Sequence, residues 1–277
     1  MIGLNGKTLE IKRFPDGTVN MRDVEICTDG TGNVVSWFYE NDSEFLPMYY
    51  LSRYIRDRNV GRLELFLPYI PNARMDRVKN RGEIFTLKYF CDLVNSLCFD
   101  KVFVIDPHSN VSLALINRVC QLDVFELIRK TICDISSDNL LLFYPDEGAM
   151  KRYSGALTEF PYCYGVKRRN WENGVIEGLD VFGDTKRIDG ADILIIDDIC
   201  CKGGTFYHSA KKLRTLGANK IYLFISHCEN SIFTGDFYGL NLLECGLIRR
   251  VFTTNSLLHK ADPKIVISEL NDRAENR

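Results

Sequence analysis

The segment Ile193 to Phe206, ILIIDDICCKGGTF, runs four apolar residues into two aspartates and then into a Gly-Gly-Thr turn. Paired carboxylates accept hydrogen bonds from vicinal sugar hydroxyls or hold a metal ion. Asp197 and Asp198 are expected to emerge at the strand's mouth, because its apolar run does not tolerate charge. Gly203, Gly204 and Thr205 would then open a helix whose free backbone N–H groups face an anion, with about 0.3–1 kcal/mol from the helix dipole alone. Carboxylates for a ribose beside a cradle for its phosphate describe a ribose-phosphate site. The plainer reading is an ordinary acidic turn between a strand and a helix.

Several apolar runs must carry such residues: VVSWFY (34–39), LELFLPYI (63–70), VFVID (102–106), LLLFY (140–144), ILIID (193–197) and IYLFIS (221–226). Continuous rather than alternating apolar strands imply a mainly parallel sheet covered by helices on both faces. Helices are expected from Asp42 and Ser43 through about Asn59, over Phe85 to Leu97, and over His208 to Leu216 before Gly217. In such α/β sheets ligands bind outside the carboxyl ends of the strands. The polar clusters PYIPNARMDR, DPHS, PDEGAMKR and DDICCKGGT each follow an apolar run. A length of 277 residues suits two domains, with a boundary near residues 124–139, and the reading adopted is 1–130 and 131–277.

A formal net charge of -2 argues against a general nucleic-acid binder. No apolar stretch reaches membrane-helix length and no signal-peptide pattern opens the chain, so a cytoplasmic location is the expectation. The ten cysteines include no C-x-x-C pair, which excludes the usual metal and redox spacings. Cys91 and Cys98, seven apart, read as buried thiols on one helical face. The tail ELNDRAENR reads as a solvated end.

Taken in order, RFPDGT (13–18), PYIPNARMDR (68–77), DPHS (106–109), PDEGAMKR (145–152), VKRR (166–169), the opening motif and FTTN (252–255) resemble the ribose-phosphate pyrophosphokinase family. The resemblance implies two tandem type I phosphoribosyltransferase-like domains, the first on the ATP and Mg²⁺ side and the second on the acceptor side, with the active site at their junction. It implies transfer of the β,γ-diphosphate of ATP to an anomeric hydroxyl, with release of AMP and with Mg²⁺ as cofactor. By it, His108 and Asp146 are metal ligands, Lys167 and Arg169 lie on a mobile loop and act on the transferring group, and Phe14, Asp16, Arg74, Asp76 and His108 serve ATP. Asp197, Asp198, Cys201, Lys202, Gly203, Gly204 and Thr205 take the acceptor. Phe14 and Asp16 match a turn that reaches a neighbouring subunit, which implies a homo-oligomer, at least a dimer. His227 falls where the family has a strand-end histidine, its role open; His208 and His259 read as structural.

The chain also departs from the family. Met75 stands where Gln is usual and Thr18 where Glu is usual, and RGEIFTLK (81–88) replaces an R-A-P-I-S-like segment. The chain begins almost at the F-P-D-G turn, so the family's first strand, glycine turn and first helix are expected to be missing. Cys201 replaces an Asp in the phosphate loop and Lys202 adds a cation. The family extends to short phage-encoded relatives that act on ADP-ribose in NAD rebuilding, and the acceptor stays open between ribose 5-phosphate and ADP-ribose. The alternatives are a phosphoribosyltransferase, which has little use for PDEGAMKR and RFPDGT, and an inert regulatory relative, against which Lys167, Arg169, His108 and Asp146 speak.

Overall fold

The computed structural model describes residues 1–58, 61–169 and 176–270. The chain divides into two compact units, one built on Met1–Asp123 and the other on Val124–Glu269.

In the first unit, strands β1 (Ile2–Leu4), β2 (Lys7–Thr8), β3 (Ile11–Arg13) and β4 (Val19–Met21) precede β5 (Asn33–Trp37). A short 3-10 turn leads into helix α1 (Phe45–Asp57), followed by β6 (Leu63–Phe66), α2 (Thr86–Ser96), β7 (Lys101–Ile105), α3 (Asn110–Leu115) and β8 (Val119–Leu122). The sheet order is β2-β1-β5-β6-β7-β8. Strands β5 to β8 are parallel, and β1 and β2 add an antiparallel edge. Val35, Trp37, Leu63, Leu65, Val102 and Val104 of the sheet pack with Met48, Leu51 and Ile55 of α1 and with Leu87, Phe90 and Val94 of α2. Burying each such side chain contributes about 1.5–3 kcal/mol.

A strand precedes the F-P-D-G turn, since Ile2–Leu4 is buried and pairs antiparallel with β5, and no helix stands before that turn among the described residues. One expectation is corrected here. Cys91 is buried in the core, and burial pushes its thiol up to about 12. Cys98 lies past the end of α2 at φ +60° and is exposed, so the two do not share a helical face.

The second unit carries α4 (Phe125–Ile135), β9 (Leu140–Tyr144), α5 (Glu147–Tyr153), β10 (Tyr162–Arg169), β11 (Ile176–Gly183), β12 (Asp192–Cys200), α6 (Gly204–Thr215), β13 (Ile221–Cys228), β14 (Arg250–Thr254) and β15 (Ile265–Ser268). The strand order is β11-β10-β9-β12-β13-β14-β15. All pairs are parallel except the β10–β11 hairpin. Ile193, Ile195, Ile221, Leu223 and Ile225 pack with Phe206, Ala210 and Leu213 of α6 in one core. Both units are therefore the mainly parallel, helix-flanked α/β sheets that the continuous apolar runs imply.

Candidate functional site in the second unit

The paired acids do not end their strand. β12 continues three residues past Asp197 and stays registered on β13 to Cys200↔Cys228. Its other neighbour, β9, pairs with it only as far as Ile195↔Phe143. One edge of β12 is thus released from Ile196 onward, and that gap, rather than the strand's end, admits two acids into a buried strand. Asp198 is only 4% exposed.

β9 gives way to Pro145 and Asp146, and Asp146 caps α5, its Oδ1 accepting from the Ala149 N–H at 3.0 Å. A carboxylate at an N-cap satisfies a helix N–H that has no partner within the helix. At the far end of this short helix, Arg152 Nη1 lies 2.8 Å from Asp198 Oδ2, with Arg152 itself one-quarter exposed. Asp197 accepts from the Asp198 N–H at 3.0 Å. Burial, and then the charges of Asp198 and Asp146, push the Asp197 carboxyl well above the ordinary carboxylate range. Asp146, Asp197 and Asp198 therefore form one crowded carboxylate group with an arginine drawn into it.

The loop after β12 is shaped by two glycines with different reasons for being glycine. Gly203 sits at φ +88°, and a Cβ there would lie 2.7 Å from Cδ2 of the buried Leu242. Gly204, the first residue of α6, has no such backbone demand, and a Cβ on it would meet nothing within 4 Å. The fold requires the first glycine and leaves open space at the second. The helix begins four residues before the expected His208 because Gly204 and Thr205 are weak helix formers that mask its start.

Residues absent from the sequence reading support the loop from behind. Cys201 Sγ donates to Glu229 Oε1 at 3.1 Å, Ser231 Oγ donates to Glu229 Oε2 at 2.9 Å, and the Glu229 N–H donates to the Cys200 carbonyl at 2.8 Å. A Cβ at Gly235 would overlap the Lys202 carbonyl oxygen. Phe237 stacks on Tyr207 of α6 with ring centroids 4.4 Å apart. The Cys201 thiol is thus turned toward Glu229, whereas Lys202 is exposed. Only spatial pairing across β12 and β13 could have signalled Glu229, and a bare sequence does not display that.

Lys167 and Arg169 lie on β10, which pairs with β11 through Lys167↔Leu179 and Arg169↔Ile176, with a register shift between Arg168 and Arg169. They are strand residues of a hairpin rather than loop residues, and 170–175 of the expected loop lie outside the described residues. The hairpin is rooted at the carboxylate group: a Cβ at Gly165 would come within 2.9 Å of the Pro145 carbonyl oxygen, next to Asp146. His227 is buried, its Nδ1 2.8 Å from Ser256 Oγ, in a polar cluster where Thr254 Oγ1 donates to the Ser226 carbonyl at 2.6 Å.

The remaining sequence candidates belong to the first unit. Arg74, exposed, and Asp76, 3.5 Å from Arg77, follow β6. His108 follows β7, just before Ser109, which caps α3 by accepting from the Val111 N–H at 3.1 Å. Phe14 and Asp16 form the turn of the β3–β4 hairpin; Phe14 is exposed, and Asp16 Oδ1 accepts from the Thr18 N–H and hydroxyl at 2.9 and 2.7 Å. His108 and Asp146, paired in the sequence reading, are thus in different units. Among the described residues no cluster of three or more His, Cys, Asp and Glu is arranged to hold a metal ion, and no helix is long and apolar enough to cross a membrane.

No family model matches the chain. A ribose-phosphate pyrophosphokinase of Pyrococcus furiosus is 30% identical over 226 residues, covering 79% of this chain and 77% of that protein. One from Thermococcus kodakarensis is 29% identical over 222 residues, covering 79% and 77%. The crystal structure of phosphoribosylpyrophosphate synthetase from Mycobacterium smegmatis matches with a TM-score of 0.75 at 20% identity, covering 95% of this chain and 86% of that one, a likeness of fold. Identity at this level over this span means that the chain belongs to the ribose-phosphate pyrophosphokinase family of diphosphotransferases.

Proposed function

We propose that the protein transfers the β,γ-diphosphate of ATP to the anomeric C1 hydroxyl of a ribose bearing a 5-phosphate. The hydroxyl oxygen bonds to the β-phosphorus, the bond from that phosphorus to the oxygen bridging it to the α-phosphorus breaks, AMP leaves, and the hydroxyl proton is released. The observation that carries this reading is the loop Lys202–Thr205. It comes three residues after the half-buried Asp197 and the buried Asp198, and it contains a glycine, Gly204, whose open face the fold itself does not require.

In this scheme Asp197 and Asp198 take the ribose hydroxyls, and the loop takes the phosphate through the N–H groups at the start of α6. Cys201 supports the loop through Glu229, and its assignment to the acceptor is indirect. Lys167 and Arg169 neutralise charge on the transferring group, where positioning and electrostatics supply most of the catalysis. Phe14, Asp16, Arg74, Asp76 and His108 serve ATP. The hairpin turn presenting Phe14 fits delivery to a second copy of the chain, hence a homo-oligomer.

Mg²⁺ suits the donor set. Magnesium is held by one or two carboxylates together with waters and substrate phosphates, not by an all-protein cage. Asp146, with its neighbours' negative charge concentrated around it, would be a ligand, and His108 is the other ligand that the family resemblance implies. When bound, Mg²⁺ supplies charge neutralisation on the ATP phosphates.

Ribose 5-phosphate is the acceptor that the relatives' name implies. The exposed Lys202 beside the open face of Gly204 favours a second reading, an acceptor extended beyond its 5-phosphate such as ADP-ribose. The test is to incubate the protein with Mg²⁺ and ATP plus either acceptor and to follow AMP. AMP formed with one acceptor identifies it, and absence of AMP with both refutes the enzymatic reading.

A further inference from the structure

Two neighbouring acids that are meant to grip one sugar face a difficulty of their own making: crowded carboxylates repel, and a buried side chain with an unbalanced charge does not hold one orientation cheaply. The chain meets this asymmetrically. Asp198, 4% exposed, has the Arg152 guanidinium at 2.8 Å from Oδ2, whereas Asp197 accepts from the Asp198 backbone N–H.

Arg152 is itself held on a fixed support. It sits in the last turn of α5, a seven-residue helix pinned at its start by the Asp146 cap. At its end Tyr153 is fully buried and stacked on Tyr144 of β9, ring centroids 6.3 Å apart and planes 17° apart. Arginine suits the task because its guanidinium stays charged beside a buried carboxylate; Nη1 meets Asp198 Oδ2 as an ion pair rather than a hydrogen bond.

The geometry points to Arg152 as a positioning residue for the acceptor. Its guanidinium orients the Asp198 carboxylate, so that the aspartate pair meets the ribose in one arrangement, while Arg152 itself touches neither the sugar nor ATP. This inference rests on the reading that Asp197 and Asp198 take the acceptor ribose. It makes α5 a strut whose two ends serve two different parts of the site.

The test uses AMP release by the full chain for wild type, Arg152→Gln, Arg152→Lys, Asp198→Asn and the double variant Arg152→Gln/Asp198→Asn, with thermal melts alongside. Each is assayed with varied ribose 5-phosphate or ADP-ribose, whichever the wild type uses. Arg152→Gln should raise the acceptor KM by roughly tenfold or more, as breaking a buried ion pair does, with the ATP KM changed less than about twofold. Arg152→Lys should recover part of the loss. In the Asp198→Asn background, Arg152→Gln should add almost nothing, because residues acting through one contact are non-additive.

Additive effects of the two substitutions, or a rise in the ATP KM instead, would overturn the assignment. Should Arg152→Gln not fold, Arg152→Lys with and without Asp198→Asn carries the same cycle. A wild type that releases no AMP refutes the reading of the site, whereas normal wild-type turnover with additive variants refutes only the role of Arg152.

Discussion

Gly203 and Gly204 are adjacent, yet replacing each by alanine should give opposite results. At Gly203 the backbone φ is +88°, and a Cβ would stand 2.7 Å from the buried Leu242. The left-handed conformation costs an L-residue about 1–2 kcal/mol, and displacing a packed leucine adds roughly 1–3 kcal/mol. Gly203→Ala should therefore lose about 2–5 kcal/mol. At roughly 2–4 °C per kcal/mol for units of this size, Tm should fall by about 4–20 °C. At Gly204 a Cβ meets nothing within 4 Å, and alanine improves on glycine in a helix by roughly 0.5–1 kcal/mol. Gly204→Ala should keep or slightly raise Tm while raising the acceptor KM at least about tenfold, because the new methyl enters the space assigned to the phosphate. Thermal melts and AMP-release kinetics on the two variants separate the effects. A Gly204→Ala protein with a wild-type acceptor KM would show that the open face of the loop is not where the phosphate sits.

Three further outcomes follow from the same geometry. The Asp197 carboxyl is held above its ordinary range, so the folded state favours its protonated form, and stability is lost as pH rises through the folded pKa. Asp197→Asn removes that cost and should raise Tm at pH 8 while weakening acceptor binding; the gain should vanish below about pH 4, the ordinary aspartate range, and an equal gain at both pH values would contradict it. Lys167→Ala should lower kcat by roughly 10²–10³-fold with both KM values little changed, and wild-type turnover would remove Lys167 from the transfer step. Lys202→Ala should raise the acceptor KM more than the ATP KM, and more for ADP-ribose than for ribose 5-phosphate; an unchanged acceptor KM would exclude Lys202 from the phosphate contact.

What the sequence made legible was governed by local chemistry. LLLFY is the strand β9 residue for residue, because a buried parallel strand writes itself as an unbroken apolar run. The glycine turn was legible because glycine is the residue that takes a left-handed position at least cost, here directly ahead of a helix. The run ILIID indicated β12 but not its length: two acids look like an end, and only the early termination of β9 explains how a strand carries them onward to Cys200. Register with a neighbour is a non-local property, and the same limit hid Arg152 and Glu229. Arg152 is only the last residue of PDEGAMKR, and Glu229 an unremarkable charge, until the fold places one on Asp198 and the other on Cys201.

Cys201 and Lys202, the two residues that set this loop apart, therefore separate into different roles. A thiol turned toward Glu229 and an aspartate at the same position could not be equivalent, since an aspartate there would face a second carboxylate in place of a donor. The Cys201 thiol, a weak donor, thus gives the Glu229 carboxylate a partner that an acid at that position would not. Lys202 is exposed, and the Gly235 backbone packs closely against its carbonyl. A long cationic side chain two residues before an unfilled glycine face can extend the phosphate site outward without reshaping it. Any difference in acceptor between this chain and its relatives should therefore follow Lys202 and not Cys201. Replacing Cys201 by serine, which still donates to Glu229, should leave the relative use of ribose 5-phosphate and ADP-ribose unchanged.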